Sequence, residues 1–242
     1  MNKGVEHTKN SLLLSLSFAA MVGLLCFVVF LFGLLFPYSK FEWAIYPRDL
    51  SQWYGIFTAP FIHNSWAHLF SNLPPLMATI TMIFFFYRSI GWGVFVMVWL
   101  LTGIAVFTFA RPASHIGASG LVYGLIGFVF FSGVFRRNIK SIVLMTIVVV
   151  MYGGGYLAGV LPIEKGVSWE SHLFGALIGA WTAFVFRNFR EPDEETQKPS
   201  WAGEDNSKKD YYFQRDVFEK TIEQRRREEE ELRNQSSEDP LR

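Results

Sequence analysis

Four polar side chains stand out against apolar sequence: His68, Asn72, Ser119 and His172. Ser119 lies between glycines in Gly117-Ala118-Ser119-Gly120-Leu121-Val122-Tyr123-Gly124, near the start of an apolar run. A serine hydroxyl attacks a carbonyl effectively only when a neighbouring base takes its proton. His172, near the head of another apolar run, is the natural base. Acyl transfer also needs donors at the developing oxyanion. His68 and Asn72 are four residues apart and share one helix face, and the Ser119 N–H sits near a helix start; these three can supply the donors. Tyr123, one helical turn after Ser119, is placed to stack on or bond to the His172 ring. The apolar runs hold one carboxylate, Glu170, two residues before His172 and on a different face, so the expected machinery is a Ser-His dyad. Taken singly, each of these groups also reads as an interhelical hydrogen-bonding or packing residue, and a lone G-x-S-G is weak evidence.

The elements that must position them are membrane helices. Apolar runs cover about residues 11–36, 67–87, 92–110, 115–135, 141–161 and 169–186, the fifth interrupted at Gly153-Gly154-Gly155. Each approaches or exceeds the roughly 18 residues of a spanning helix. The first is longer than the apolar core of a signal peptide, about 7–15 residues, and reads as a retained span. Six spans put both termini on one side. On that side lie Lys3, Lys9, Arg88, Arg136, Arg137, Lys140, Arg187 and Arg190; on the other lie Lys40, Arg48, Arg111 and Lys165. The positive-inside rule then predicts cytoplasmic termini. The second, fourth and sixth spans start at the outer surface, and His68, Ser119 and His172 all fall within about 10 Å of it. This convergence argues for one site rather than three separate packing contacts. Gly120, Gly124 and Gly127 repeat at helical spacing, as do Gly175 and Gly179, so the fourth and sixth spans are expected to pack backbone to backbone.

Of 242 residues, 51% are hydrophobic and 25 are Phe. The net charge of +1 hides a basic body over residues 1–190 and an acidic tail over residues 191–242. A lone cysteine, Cys26, excludes an internal disulfide and argues against a thiolate metal site. No H-E-x-x-H motif is present, the apolar runs contain no aspartate, and the histidines lack a carboxylate or thiolate to complete a zinc site; no metal or other cofactor is expected. A transporter would more naturally place polar groups at the midplane. The aromatic connection over residues 37–65 is expected to lie at the membrane interface. Residues 209–233 are expected to form an amphipathic helix with Phe213, Val217, Phe218 and Ile222 on one side, which could bind a cytoplasmic partner. Nucleic acid is not expected as a partner.

In combination, Gly117-Ala118-Ser119-Gly120 with Tyr123 and Gly124, His63-x4-His68-x3-Asn72, and His172-x2-Gly175-x3-Gly179 resemble the rhomboid family of intramembrane serine proteases over about residues 11–190. The resemblance implies an all-α six-transmembrane-helix bundle with an interfacial first outer loop, flanked by a short N-terminus at 1–10 and a polar tail at 191–242. It implies Ser119 as nucleophile, His172 as general base, His68 and Asn72 as oxyanion donors, and Tyr123 packed on the catalytic histidine. His63 corresponds to a structural histidine near the site, and Gly117 belongs to the loop before the serine. Implied partners are transmembrane protein substrates within the lipid bilayer; the membrane expected from the composition is a bacterial plasma membrane, with the site opening outward. The chain departs from the family where many members carry Trp-Arg in the first outer loop, partnered by a Glu after the second span. Here Trp53-Tyr54 stands there and 84–88 offers no Glu, so the loop is expected to be held differently. The alternative reading is a catalytically weak relative that binds client membrane proteins.

Overall fold

A computed structural model of the chain describes residues 3–36, 39–162, 168–194 and 220–237. The described residues are helical, with one isolated antiparallel bridge, Ile45 with His115. The long helices are α1 (Lys3–Leu35), α2 (Trp66–Phe86), α3 (Gly91–Phe109), α4 (Ser119–Arg136), α5 (Ile139–Gly159), α6 (Trp169–Val185) and α7 (Ile222–Ser237). The chain divides into two compact units, Met1–Glu194 and Glu195–Arg242. Among the described residues five helices, α1 to α5, are long and apolar enough to cross a membrane, and the protein is a multi-pass membrane protein. α6 has 17 residues, or about 26 Å at 1.5 Å per residue, slightly less than the ~30 Å hydrocarbon core.

Three features differ from the sequence reading. The helix carrying Ser119 starts at Ser119 rather than at His115. His115 is instead drawn into the bridge with Ile45, and Gly117 takes a φ of +105°, which ends any helical continuation. α5 runs unbroken through Gly153-Gly154-Gly155 to Gly159, because each glycine there keeps its place in the helical ladder. The first unit extends to Glu194, so residues 191–194 belong with the bundle. The Glu191 carboxylate accepts from the Ser89 N–H and hydroxyl in the α2–α3 turn, and Glu194 pairs with Arg136 at 3.3 Å and Lys140 at 2.7 Å. In the tail, Phe213, Val217 and Phe218 lie outside the described residues; α7 begins at Ile222.

α4 is the centre of the bundle. A Cβ on Gly120 would press on the Ser171 carbonyl, one on Gly175 would overlap the Gly120 carbonyl, and one on Gly179 would overlap the Gly124 carbonyl. The α4 and α6 backbones therefore touch at successive turns, the small-residue contact expected of the two glycine faces. α1 packs on α2, with Gly23 against Met77 and Phe30 edge-on to Trp66 at 4.7 Å.

The aromatic connection before α2 is fastened to the same end of the bundle as Ser119. Arg48, in the left-handed region at φ 65°, donates from its backbone N–H to the Phe107 carbonyl at 2.9 Å. Its guanidinium donates to the Thr108 and Ala110 carbonyls at 3.2 and 2.9 Å, satisfying acceptors left open at the end of α3. The Thr58 hydroxyl donates to the Trp43 carbonyl at 2.7 Å, and Gly55 lies so close to Ala44 that a Cβ there would strike its carbonyl. Backbone pairing and Arg48 hold this loop.

Candidate active site

Helix capping separates α4 from α2, α5 and α6. The hydroxyl of Ser65 accepts from the His68 N–H at 3.1 Å at the start of α2, the Asn138 side chain caps α5, and Ser168 caps α6. The N-cap of α4 is Ala118, which brings no side-chain acceptor. The N–H groups of the first turn, Ser119 included, thus stay outside side-chain capping at the positive end of the helix dipole. That suits the Ser119 N–H to a developing negative charge. Ser119 itself is half-buried.

The His172 ring is buried and held by two contacts, one on its face and one at its edge. It lies 4.1 Å from the Tyr123 ring, centroid to centroid, with 1° between the planes. Tyr123 stacks in turn on Tyr156 of α5 at 4.5 Å. The Tyr123 hydroxyl donates to the Gly155 carbonyl at 3.1 Å, and the Tyr156 hydroxyl donates to the Tyr123 carbonyl at 2.8 Å. His172 Nδ1 lies 2.7 Å from the Gly159 carbonyl oxygen. A carbonyl oxygen can only accept, so Nδ1 carries the proton and Nε2 of the neutral ring keeps its lone pair. The His172 ring is oriented without a carboxylate: a backbone carbonyl accepts from its Nδ1. Glycine at 159 leaves room for the Tyr123 hydroxyl, which a Cβ there would displace. Ser119 begins the turn of α4 that Tyr123 ends, and Gly120 meets Ser171, so the first turns of α4 and α6 lie side by side.

The loop in front of Ser119 is positioned by two histidines of the α2 region. His63 Nδ1 donates to the Phe61 carbonyl at 3.3 Å, and Nε2 accepts from the Ala118 N–H at 3.4 Å. This pattern requires a neutral ring; burial first, and the nearby His68 second, push its pKa down to about 4. His68 packs edge-on to His63 at 5.0 Å, and its ring covers Gly117 so closely that a Cβ there would meet it. Gly117 is therefore fixed by both its backbone angle and its neighbour, and its N–H donates to the Ala59 carbonyl at 2.9 Å. Asn72 is buried; one of its two amide hydrogens bonds the His68 carbonyl, at 2.8 Å.

Sequence reasoning missed His115. Its Nε2 faces the Arg111 carbonyl at 3.1 Å and so donates, leaving Nδ1 to accept from the Ser168 hydroxyl at 2.5 Å. Ser168 caps α6 and lies 2.7 Å from the Ser171 hydroxyl. His115 thus ties the segment leading to Ser119 to the start of the helix bearing His172. Its signal in the sequence was position alone: it lies four residues before Ser119, at the head of the apolar run. Tyr156 was also missed, because an aromatic residue in an apolar helix carries no mark of its partner. Among the described residues no cluster of three or more His, Cys, Asp or Glu could hold a metal ion.

The family described as the rhomboid domain matches residues 50–189. Uncharacterized proteins of Mycobacterium bovis and Mycobacterium tuberculosis are each 33% identical over 155 residues, covering 59% of this chain and 62% of theirs. An uncharacterized protein of Mycobacterium leprae is 33% identical over 162 residues, covering 63% of this chain and 62% of its own. The matched region thus spans less than two thirds of these relatives.

Proposed function

The chain belongs to the rhomboid family, and on that footing we propose that it is an intramembrane serine endopeptidase that cuts transmembrane segments of other membrane proteins with a Ser119–His172 dyad. The observation that carries this reading is the His172 ring, stacked on Tyr123 and with Nδ1 committed to the Gly159 carbonyl. Its Nε2 is then a ready base beside the turn that Ser119 begins.

In this reading Nε2 takes the Ser119 Oγ proton as Oγ bonds to the scissile carbonyl carbon. The carbonyl oxygen becomes an oxyanion that accepts from the Ser119 N–H, the second amide hydrogen of Asn72 and the His68 ring. The tetrahedral species collapses, the C–N bond breaks, and the leaving amine takes the proton from His172. Water, deprotonated by the same nitrogen, then releases the acyl group. A membrane helix hides its carbonyls in its own hydrogen bonds, so the substrate must unwind locally before attack. The charge pattern supports cytoplasmic termini and a site open to the extracytoplasmic face; a bacterial plasma membrane belongs to the same proposal.

The test is cleavage of single-pass membrane substrates by the reconstituted full chain, against Ser119→Ala and His172→Ala. Both substitutions should abolish cleavage with the fold intact. An unmodified chain that binds such substrates without cutting them would replace this reading with client capture.

A further inference from the structure

At the Ser119 end of the first unit, between the end of α3 and the start of α6, lies a cleft of about 410 Å³. Its apolar lining includes Phe109, Leu173 and Phe174, and its polar lining is Arg48, Arg111 and Glu170. It is separate from the dyad. Glu170 and Phe174 each lie two positions from His172, about 200° around the helix, so the cleft occupies the side of α6 turned away from the catalytic ring.

One acceptor in the polar lining is left open. Arg111 Nε pairs with Glu170 Oε1 at 3.3 Å, and the Glu170 side chain is only 8% exposed. Glu170 Oε2 is buried and has no hydrogen-bond partner among the described residues. A buried carboxylate oxygen without a donor is destabilising, so this oxygen is suited to an N–H donor entering the cleft. The Arg111 side chain is half-exposed and Arg48 is exposed, which suits them to an anion at the cleft mouth; Arg48 directs Nη1 to backbone carbonyls and has further N–H groups in its fork. Guanidinium groups match the oxygens of a phosphate.

The cleft opens onto an apolar surface. Phe109 is 71% exposed. Below Phe174, α6 presents Leu177, Trp181 and Phe184, all exposed and spaced three or four residues apart. In a multi-pass membrane protein such a stripe faces lipid chains. One ligand would therefore meet two cations, then a buried acceptor oxygen, then a hydrocarbon-facing stripe running along the helix.

The geometry points to a binding site for an aminophospholipid of the phosphatidylethanolamine type. Its phosphate sits between Arg48 and Arg111, its primary ammonium donates to Glu170 Oε2, and an acyl chain lies along Phe174, Leu177 and Trp181. Phosphatidylcholine supplies the phosphate and chains but has no N–H for Oε2. Phosphatidylglycerol replaces the ammonium by neutral hydroxyls. Free phosphoethanolamine has the headgroup but no chain for the stripe.

The test uses the full chain, stripped of lipid in detergent, with binding of each lipid followed by native mass spectrometry. No proteolysis is needed, so the result stands apart from the proposed activity. The unmodified chain should bind phosphatidylethanolamine about tenfold more tightly than phosphatidylcholine, the factor set by one charge-assisted hydrogen bond. Glu170→Gln should bring the ratio near one. Leu173→Trp, which narrows the cleft without touching its charges, should weaken both lipids. It gives a second reading should Glu170→Gln fail to fold. Equal binding of the two lipids by the unmodified chain overturns the assignment. So does a preference that survives both substitutions, or phosphatidylglycerol or free phosphoethanolamine binding as tightly as phosphatidylethanolamine.

Discussion

The α4–α6 seam and the last turns of α5 grip the same histidine in opposite ways. Along the seam, glycine brings two backbones into contact, and 61% of the α4 span is buried. In α5 only three of 21 residues are buried. Its buried residues, Ser141, Leu144 and Val148, all lie in the half away from the site, and Gly154 and Gly155 have open space around their α-carbons. Yet this sparsely packed end supplies the Gly159 carbonyl that fixes the His172 tautomer and the Tyr156 ring that backs Tyr123. The seam sets how close the serine and histidine helices come. The loose helix sets which way the histidine ring presents its lone pair. Glycine thus does two jobs here: close approach in α4 and α6, and an unencumbered backbone in α5.

Breaking the seam should have the largest effect. Gly175→Leu forces a side chain onto the Gly120 carbonyl, and no rotamer avoids a clash that begins at Cβ. Cleavage should vanish. Gly175→Ala should lower stability by about 1–3 kcal/mol, the usual cost of overpacking, read from thermal unfolding in detergent. A folded, fully active Gly175→Leu protein would refute the seam. Loosening the grip from the α5 side should be milder. Tyr123→Ala removes the surface on which His172 lies and should reduce kcat about tenfold or more, while Tyr123→Phe, which loses only the bond to Gly155, should stay within a few-fold of the unmodified rate. A kcat equal in all three proteins would show that the stack does not orient the base.

Next in size is His115→Ala. It removes the strut between the Ser119 segment and the cap of α6 and leaves the Ser168 hydroxyl short of one partner, a loss of about 1 kcal/mol. If His115 positions the two helix starts, kcat falls with KM unchanged. A merely structural role would lower stability alone.

Much of this site could be read from residue types and spacing. A serine between glycines, two histidines and an asparagine near one end of three apolar runs pointed to one polar centre, and the glycine repeats pointed to the seam. The rest depended on long-range contacts that no local pattern encodes. The Gly159 carbonyl replaces a carboxylate, but a carbonyl is present at every residue and so gives no sequence signal. His115 looked like the first residue of a span because its neighbours are apolar; pairing with Ile45, 70 positions earlier, made it part of the loop. Gly153-Gly154-Gly155 looked like a break because glycine is a weak helix former in water. Within a membrane span the helical ladder is the way to satisfy those backbone groups, so the helix continues.

His63 offers a pH-dependent probe of the tight side. Its ring must be neutral to accept from the Ala118 N–H, and burial holds its pKa at about 4, below the ordinary value of 6.5. Between those values the unfolded chain binds a proton that the folded chain does not, so stability rises with pH across this window. The contribution is fully present above pH 6.5 and is lost as pH falls through 6.5 toward 4. His63→Gln should flatten the slope of thermal stability against pH in that interval, and an unchanged slope would exclude a neutral His63 as the pin on Ala118.

The smallest effect tests the loose side. Gly154→Ala adds a methyl group where no described residue beyond its own helix backbone lies within 4 Å, in a helix whose conformation alanine favours by about 0.5–1 kcal/mol over glycine in water. If α5 is slack by virtue of its glycines, this substitution should leave the fold intact, raise thermal stability slightly and change kcat by less than a few-fold. The same change at Gly159, five residues on, places a methyl against the Tyr123 hydroxyl and beside His172 Nδ1 and should depress cleavage strongly. The contrast between these two alanines on one helix isolates the argument. Both remove a glycine and add one carbon, so helix propensity acts alike on each, and only the contact with the catalytic ring differs. Equal activities would mean that α5 does not hold His172, and that the tautomer is fixed from elsewhere.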